Sequence, residues 1–336
     1  MVLVTGGTGL VGAHLILRLL RSGEAVKATH RKTSDLREVE KVFGYYTDQA
    51  GELFRKVLWV QADLNDLPTL DEAFKGVDRV YHCAALISFD PNDQELLRTT
   101  NTEGTKNIVN LCLAHNVRKL CHVSSIAAIG RTLDGQAATE ETDWNLEGAN
   151  VYALSKMDSE LEVWRGSQEG LDVVIINPGV IIGPGFWESG TGLLFQNGFK
   201  ARKHYPPGGT GFVAVNDVTA LMVLLMDGSI TNEKFIAVAE NLSYKDILDR
   251  LAMAFGKPRP SIPIKFWQLE IFWRVDKLVN LLTKRGRKLT KASVRSLRNV
   301  QLFSSDKAKE KLGHSFGALD QAITFSCKKF MEENPS

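Results

Sequence analysis

Several features are scarce in this 336-residue chain, and each scarcity removes a class of protein. The four cysteines (Cys83, Cys112, Cys121 and Cys327) stand apart in apolar stretches without a CxxC pair, so they read as buried thiols in a reducing compartment and not as a disulfide framework. The seven histidines form no HExxH or other paired arrangement, and no His/Cys cluster has zinc-ligand spacing, so no metal is expected. Charge of one sign is lacking too: 41 Lys and Arg oppose 39 Asp and Glu, and a net +2 offers no field that would mark nucleic acid as the partner. Long hydrophobic runs are missing, since even FVAVNDVTALMVLLM is interrupted by Asn216 and Asp217, and a membrane span needs about 20 apolar residues. Met1 leads straight into VLVTGG without a basic leader or a small-residue cleavage site, so a cytoplasmic protein is expected. Repeats and low-complexity tracts are absent from the sequence as well.

What remains is a globular composition, 44% hydrophobic and 24% charged, in a chain longer than one core usually organises. The first half alternates apolar β-branched runs with helical patterns: VLVT, LVGAHLILRLLRSG, AVKATH, KVLWVQAD, LPTLDEAFKG, DRVYHCAA, a long helix, RKLCHVSS, a second long helix and LDVVIINP. Continuous apolar strands between helices signify a parallel sheet covered on both faces, a doubly wound α/β (Rossmann) fold. Residues 1–178 are expected to form this nucleotide-binding domain, with elements near 210–227 returning to it. Residues 179–336 are expected to form mainly a smaller helical substrate lobe, with helices near 216–227, 243–255, 264–283 and 290–299. Gly23 and Gly256 are expected helix stops.

VTGGTGLVG places Gly6, Gly9 and Gly12 between the first strand and the first helix. Glycine there permits the tight turn and lets the backbone approach a pyrophosphate at the helix N-terminus, which predicts a dinucleotide cofactor. At the end of the second strand, an NAD site usually carries a carboxylate for the ribose 2′-hydroxyl, but this chain reads KATHRKTSD. Arg31 and Lys32 suit a 2′-phosphate, so NADP is the expected cofactor. NAD is the alternative, in which those charges are solvated and Asp35 or Thr29 reaches the ribose. Asp63 and Leu64 end the third strand beside the expected adenine, and Ala84 and Ala85 end the fourth with side chains small enough for a cofactor to pass.

In NVYALSKMDSELEVW, Tyr152 and Lys156 are one helical turn apart and share a face. A phenol has a reference pKa of about 10, and a neighbouring ammonium favours its ionised form, so this pair suits proton transfer.

Taken together, TGGTGLVG, DLND, HCAAL, NTEGTKN, VSSIAAIG, YALSK, PGVIIGPG and FVAVNDV resemble, in order and spacing, the extended short-chain dehydrogenase/reductase family. The resemblance implies Tyr152 as acid/base, Lys156 as the residue that binds the nicotinamide ribose and lowers the Tyr152 pKa, and Ser125 as the residue that orients the substrate oxygen, with Ser124 the competing choice. It also implies cofactor contacts at Thr8, Leu10 and Val11 beside the glycines, at Asn101 (equally readable as a helix N-cap), and at Pro178, Gly179, Val180 and Ile181. Ile126, Ile182, Phe186 and Trp187 would join Ser125 and Tyr152 on the substrate side. Ile126-Ala127 stands where dehydratases of this family carry an Asp-Glu pair. Val180 stands where its epimerases carry a diphosphate-holding Asn, although Asn177 is near.

The expected activity is therefore an NADP-dependent interconversion of a ketone or aldehyde and a secondary alcohol on a small lipophilic molecule, similar to dihydroflavonol reductases and 3β-hydroxysteroid dehydrogenases. An NAD-dependent nucleotide-sugar epimerase and a non-catalytic NADP(H)-binding sensor or scaffold are the alternatives. A homodimer through the helices around 101–114 and 151–165 is a further implication of the resemblance. The stretch IKFWQLEIFWRVDKLVNLLTKRGRK combines aromatics with a basic end, a pattern an interfacial membrane helix could share. A packing or lid helix is the preferred reading, because Glu270, Arg274 and Asp276 interrupt it.

Overall fold

The computed structural model describes residues 1–130, 132, 135–144, 149–283 and 290–335. Its strands are β1 (Val2–Thr5), β2 (Val26–His30), β3 (Leu58–Gln61), β4 (Arg79–His82), β5 (Lys119–Val123), β6 (Asp172–Pro178), β7 (Val180–Ile182), β8 (His204–Tyr205), β9 (Gly209–Ala214), β10 (Glu233–Ala237), β11 (Glu240–Ser243) and β12 (Ile262–Pro263). Seven of them form one sheet in the order β10-β6-β5-β4-β1-β2-β3, with every pairing parallel.

The period of two along each strand sorts side chains onto two buried faces. Val2, Val4, Tyr81, Cys121, Val174 and Ile176 enter one core, packed by the helices Leu10–Arg21, Arg37–Gly44 and Val215–Asp227. Their neighbours Leu3, Val80, Leu120, Val173 and Ile175 enter the other, under the helices Leu67–Phe74, Gly104–Ala114 and Val151–Gln168. Both faces are dry, which explains why these strands read as unbroken apolar runs. The doubly wound α/β fold expected from the sequence is thus the observed one.

A third core gathers Ile182, Trp187, Phe195, Phe212, Ile247, Leu251 and Phe330 under the later helices, with the Phe330 ring 5.2 Å from that of Trp187. It lies around a small sheet, β11-β9-β7, while β12 pairs with β8. After β9 the chain returns to the large sheet, since the Val215–Asp227 helix packs on its first face and β10 adds beside β6. Later helices run over Val215–Asp227, Tyr244–Ala254, Phe266–Thr283 and Lys291–Arg298, close to the expected spans. Gly23 and Gly256 follow helix ends with φ of 82° and 64°, the left-handed backbone for which glycine is suited. Two helices not read from the sequence, Arg37–Gly44 and Ala50–Arg55, occupy the β2–β3 crossover. Val39, Val42 and Phe43 supply the first one's buried stripe.

The long helices Gly104–Ala114 and Val151–Gln168 approach closely at Gly166, where a Cβ would stand 2.6 Å from Val109 Cγ1. That close crossing seats the Tyr152 helix on the sheet. Because β1 is flanked by β2 on one side and β4 on the other, the chain winds away in opposite directions from this point, and a crevice opens at the strands' carboxyl ends.

Candidate cofactor and catalytic site

Gly6, first residue after β1, has φ of 69°, and a Cβ on it would lie 2.6 Å from the Ala84 amide nitrogen. A Cβ on Gly12 would lie 2.2 Å from the Gly6 carbonyl oxygen, while the Gly9 amide donates to that same oxygen at 3.0 Å. Only glycine fits at positions 6 and 12, and the turn is as tight as the sequence predicts. Gly9 caps the Leu10–Arg21 helix without a side-chain hydrogen bond, and no acidic residue occupies the first turn. The positive end of that helix therefore faces the crevice uncompensated, the provision a dinucleotide pyrophosphate needs, with Thr8, Leu10 and Val11 at its rim.

Arg31 and Lys32 are exposed just past β2, on a loop tied to the glycine turn: Ser34 Oγ accepts from the Arg31 amide at 3.1 Å and from Thr8 Oγ1 at 3.2 Å. Asp35 is turned away, held by the Arg37 guanidinium at 2.6 Å, and Thr29 is buried. At the end of β3, Asp63 accepts from the Asn65 amide at 3.0 Å, and Leu64 rests against Gly104, its carbonyl accepting from Asn107 Nδ2 at 2.9 Å. Ala84 and Ala85 follow β4 at the crevice floor.

On the other side of the crevice, Asn150 caps the Val151–Gln168 helix by accepting from the Ala153 amide at 2.8 Å, so Tyr152 stands in the first turn. Burial pushes its phenol pKa up, and a hydrogen bond from the Ser125 side pulls the other way. Desolvation is the larger of the two influences. Lys156 is only 1% exposed and donates to the Val123 carbonyl, last residue of β5, at 2.9 Å. Desolvation lowers its pKa to about 8, against the opposing pull of Glu160.

A matching family model, described as the NAD dependent epimerase/dehydratase family, covers residues 2–235. The chain belongs to this family. It is 30% identical to sterol demethylase protein B of Methylococcus capsulatus over 319 residues, 93% of this chain and 92% of that one. It is also 30% identical to a putative dihydroflavonol 4-reductase of Synechocystis over 329 residues, 95% and 91% of the two chains. The crystal structure of gox2253 superposes with a TM-score of 0.83 at 28% identity, covering 99% of this chain and 98% of that one. The protein is accordingly an NAD(P)-dependent enzyme of the extended short-chain dehydrogenase/reductase type.

Within this dehydrogenase/epimerase family member, the two adjacent serines have different surroundings. Ser124 is buried and donates to Glu160, whereas Ser125 caps the turn Ile126–Ala128 and borders Tyr152. Asn101 is not an N-cap: it lies inside a π-helical segment, Arg98–Glu103, where its amide spans Leu86 (N at 2.7 Å, O at 2.9 Å) and Ser155 Oγ at 2.9 Å. It thus clamps the loop after β4 to the Tyr152 helix. Pro178 and Gly179 link β6 to β7, with the Gly179 amide donating to the Ala237 carbonyl at 3.0 Å. Val180 and Ile181 are partly exposed. Ile182 and Trp187, expected on a substrate face, instead belong to the third core, with Trp187 Nε1 donating to Glu333 at 3.1 Å. Ile126 packs with Ile129 and Ile236, and Phe186 is partly buried with φ of 55°. The apolar side chains after β6 serve the lobe's core first, the reading that an apolar run at a strand end also allows.

Glu160 and Phe89 escaped the sequence reading, and Asn177 was read there only as an Asn near the diphosphate position. Glu160, one turn beyond Lys156, is buried and accepts hydrogen bonds from Ser124 Oγ and Asn177 Nδ2. Asn177 is 0% exposed and also donates to the Ser125 carbonyl at 3.0 Å. Phe89, exposed on the loop after β4, stacks edge-on at 5.5 Å from the Tyr152 ring. The four-residue step from Lys156 to Glu160 was a visible signal, but Phe89 carried none. Among the described residues no group of three His, Cys, Asp or Glu could hold a metal. The histidine pair His82 and His122, 5.1 Å apart across β4 and β5, is buried neutral, and His82 is satisfied by Thr5 at 2.7 Å and Thr105 at 3.0 Å.

Gly12→Ala should weaken binding of the nicotinamide dinucleotide, NAD(H) or NADP(H), by about tenfold or more, because the glycine turn must open to admit the methyl group. Fluorescence titration of the nucleotide measures this, and an unchanged affinity would remove the turn from the cofactor site.

Proposed function

We propose that this enzyme interconverts a ketone or aldehyde and a secondary alcohol on a small lipophilic substrate with NADP(H), through Tyr152, Lys156 and Ser125. The observation that carries the reading is the meeting of these three residues at the carboxyl end of β5, beside the glycine turn. The nicotinamide, when bound, supplies or accepts the hydride. Tyr152, kept protonated by its partly buried setting, donates its proton to the substrate oxygen in reduction and takes it back in oxidation. Ser125 steadies that oxygen, and the Lys156 ammonium, anchored by Val123, stabilises charge as the phenol ionises.

Relatives named for a sterol and for a dihydroflavonol support a lipophilic substrate, and exposed Ile87 and Phe89 near Tyr152 offer apolar contact. Arg31 and Lys32 support NADP over NAD, since Asp35 is engaged by Arg37. The nucleotide-sugar epimerase is the second reading, in keeping with the family match, but Asn177 does not serve it as a diphosphate ligand, being buried against Ser125 and Glu160. An intact acid/base pair argues against a pure sensor. Leu161, exposed on the catalytic helix, suits the homodimer that the resemblance implies.

Tyr152→Phe is expected to lower turnover by about a hundredfold or more while NADP(H) affinity stays nearly constant; surviving turnover would point to another proton donor. Arg31→Ala should reduce the NADP-to-NAD affinity ratio by about tenfold, and equal affinities in the unaltered enzyme would sink the NADP assignment. Raising pH through about 8 discharges Lys156, so reductive kcat/KM should decline along that limb. Glu160 holds the Lys156 pKa up, so Glu160→Gln should move the limb to lower pH, and a pH profile superimposable on the parent's would dissociate the limb from this pair.

A further inference from the structure

The helix Phe266–Thr283 packs on one side, as a packing helix should, and presents an apolar stripe on the other. Among its described side chains Leu269 is buried, as are Thr290 and Val294 of the adjoining segment, and the Arg298 guanidinium covers the Phe266 ring at 4.5 Å. The opposite face carries Trp267, Ile271 and Val275 at successive four-residue steps, flanked by Phe272, and these are 58%, 47%, 50% and 51% exposed. Contiguous large apolar side chains at such exposure mark a surface that meets something.

Charge identifies what it meets. Residues 257–298 hold 12 of the chain's 41 Lys and Arg but 2 of its 39 Asp and Glu, a local balance of +10 in a chain whose total is +2. Lys284, Arg285, Arg287 and Lys288 lie outside the described residues, and the surface is drawn without them. The described residues of this span still carry eight Lys and Arg (Lys257 to Arg298) against Glu270 and Asp276. We infer that this helix lies in the plane of an anionic lipid surface, its Trp267–Phe272–Val275 face in the headgroup boundary and its basic flanks on the phosphates. The length and polarity agree with lying on a bilayer and not crossing it, since no helix among the described residues is long and apolar enough to cross. A second copy of this chain would bring like charge against like charge. A nucleic acid would use the basic groups and leave the Ile271–Val275 stripe in water. The inference is independent of which alcohol or ketone the enzyme takes.

The test is co-sedimentation of the full-length protein with sucrose-loaded vesicles of phosphatidylcholine alone or with about 30% phosphatidylserine. Recovery with the anionic vesicles should exceed that with neutral ones by about tenfold and fall steeply with added salt. Trp267→Glu combined with Phe272→Glu should abolish sedimentation while nucleotide affinity and melting temperature stay unchanged. Charge reversal at Lys265, Lys291 and Arg295 should do the same without touching the apolar stripe. The inference is overturned if neither vesicle sediments the protein, if neutral and anionic vesicles do so equally, or if the double variant still binds. It is equally overturned if Trp267→Glu instead converts a dimer to a monomer in light scattering, or if duplex DNA or RNA competes the protein off at low salt with no vesicle binding of its own.

Discussion

An ammonium group sealed from water needs partners, and the burial of Lys156 organises the site around it. Its proton-bearing nitrogen is fixed on the Val123 carbonyl at the end of β5, and Glu160 provides the opposing charge one turn along the same helix. A buried carboxylate is expensive in turn unless its oxygens are satisfied, and here Ser124 and Asn177 satisfy them. The chain of partners therefore joins the ends of β5 and β6 to the Tyr152 helix. Removing either charge would leave the other buried without its counterpart.

A second constraint is steric. At Gly6 and Gly12 the backbone of the first turn passes so near to Ala84 and to itself that no side chain fits, which leaves the first helix's N-terminus open to the crevice between β1 and β4. The sheet makes this possible by covering both faces: alternate residues of each strand feed separate cores, so the strand ends can stay bare. Asn101 adds a cross-tie, pinning the loop that carries Phe89 to the Tyr152 helix through Leu86 and Ser155. The loop after β4 and the Tyr152 helix are thereby joined through one side chain.

Much of this was legible from local pattern. The glycine turn, the strand and helix order and the Tyr152–Lys156 step depend on spacings of a few residues, and short-range sterics and periodicity dictate them. What misled was equally local. Ile182 and Trp187 read as a substrate wall because an apolar run after a strand does not say which side it faces; the third core claims both. Asn101 was open to a cap or a cofactor reading because a single Asn near a helix start does not show that it lies inside the π-helical segment Arg98–Glu103. The helix at Phe266–Thr283 read as packed because charges interrupt its aromatics, and that pattern did not show that one of its faces carries exposed Trp267, Ile271, Phe272 and Val275.

By itself the sequence determined the doubly wound fold, the tight glycine turn and the one-turn spacing of Tyr152 and Lys156, since each follows from residue type and short spacing: glycine where no Cβ fits, apolar runs in strands, two side chains one turn apart. Only the tertiary structure decided which serine borders the phenol, that Glu160 and Asn177 complete the lysine's surroundings, and which apolar side chains are core. Those outcomes depend on contacts between residues as far apart as Ser125 and Asn177 or Lys156 and Val123. Such proximities arise from how strands and helices stack, and a linear spacing carries no record of them.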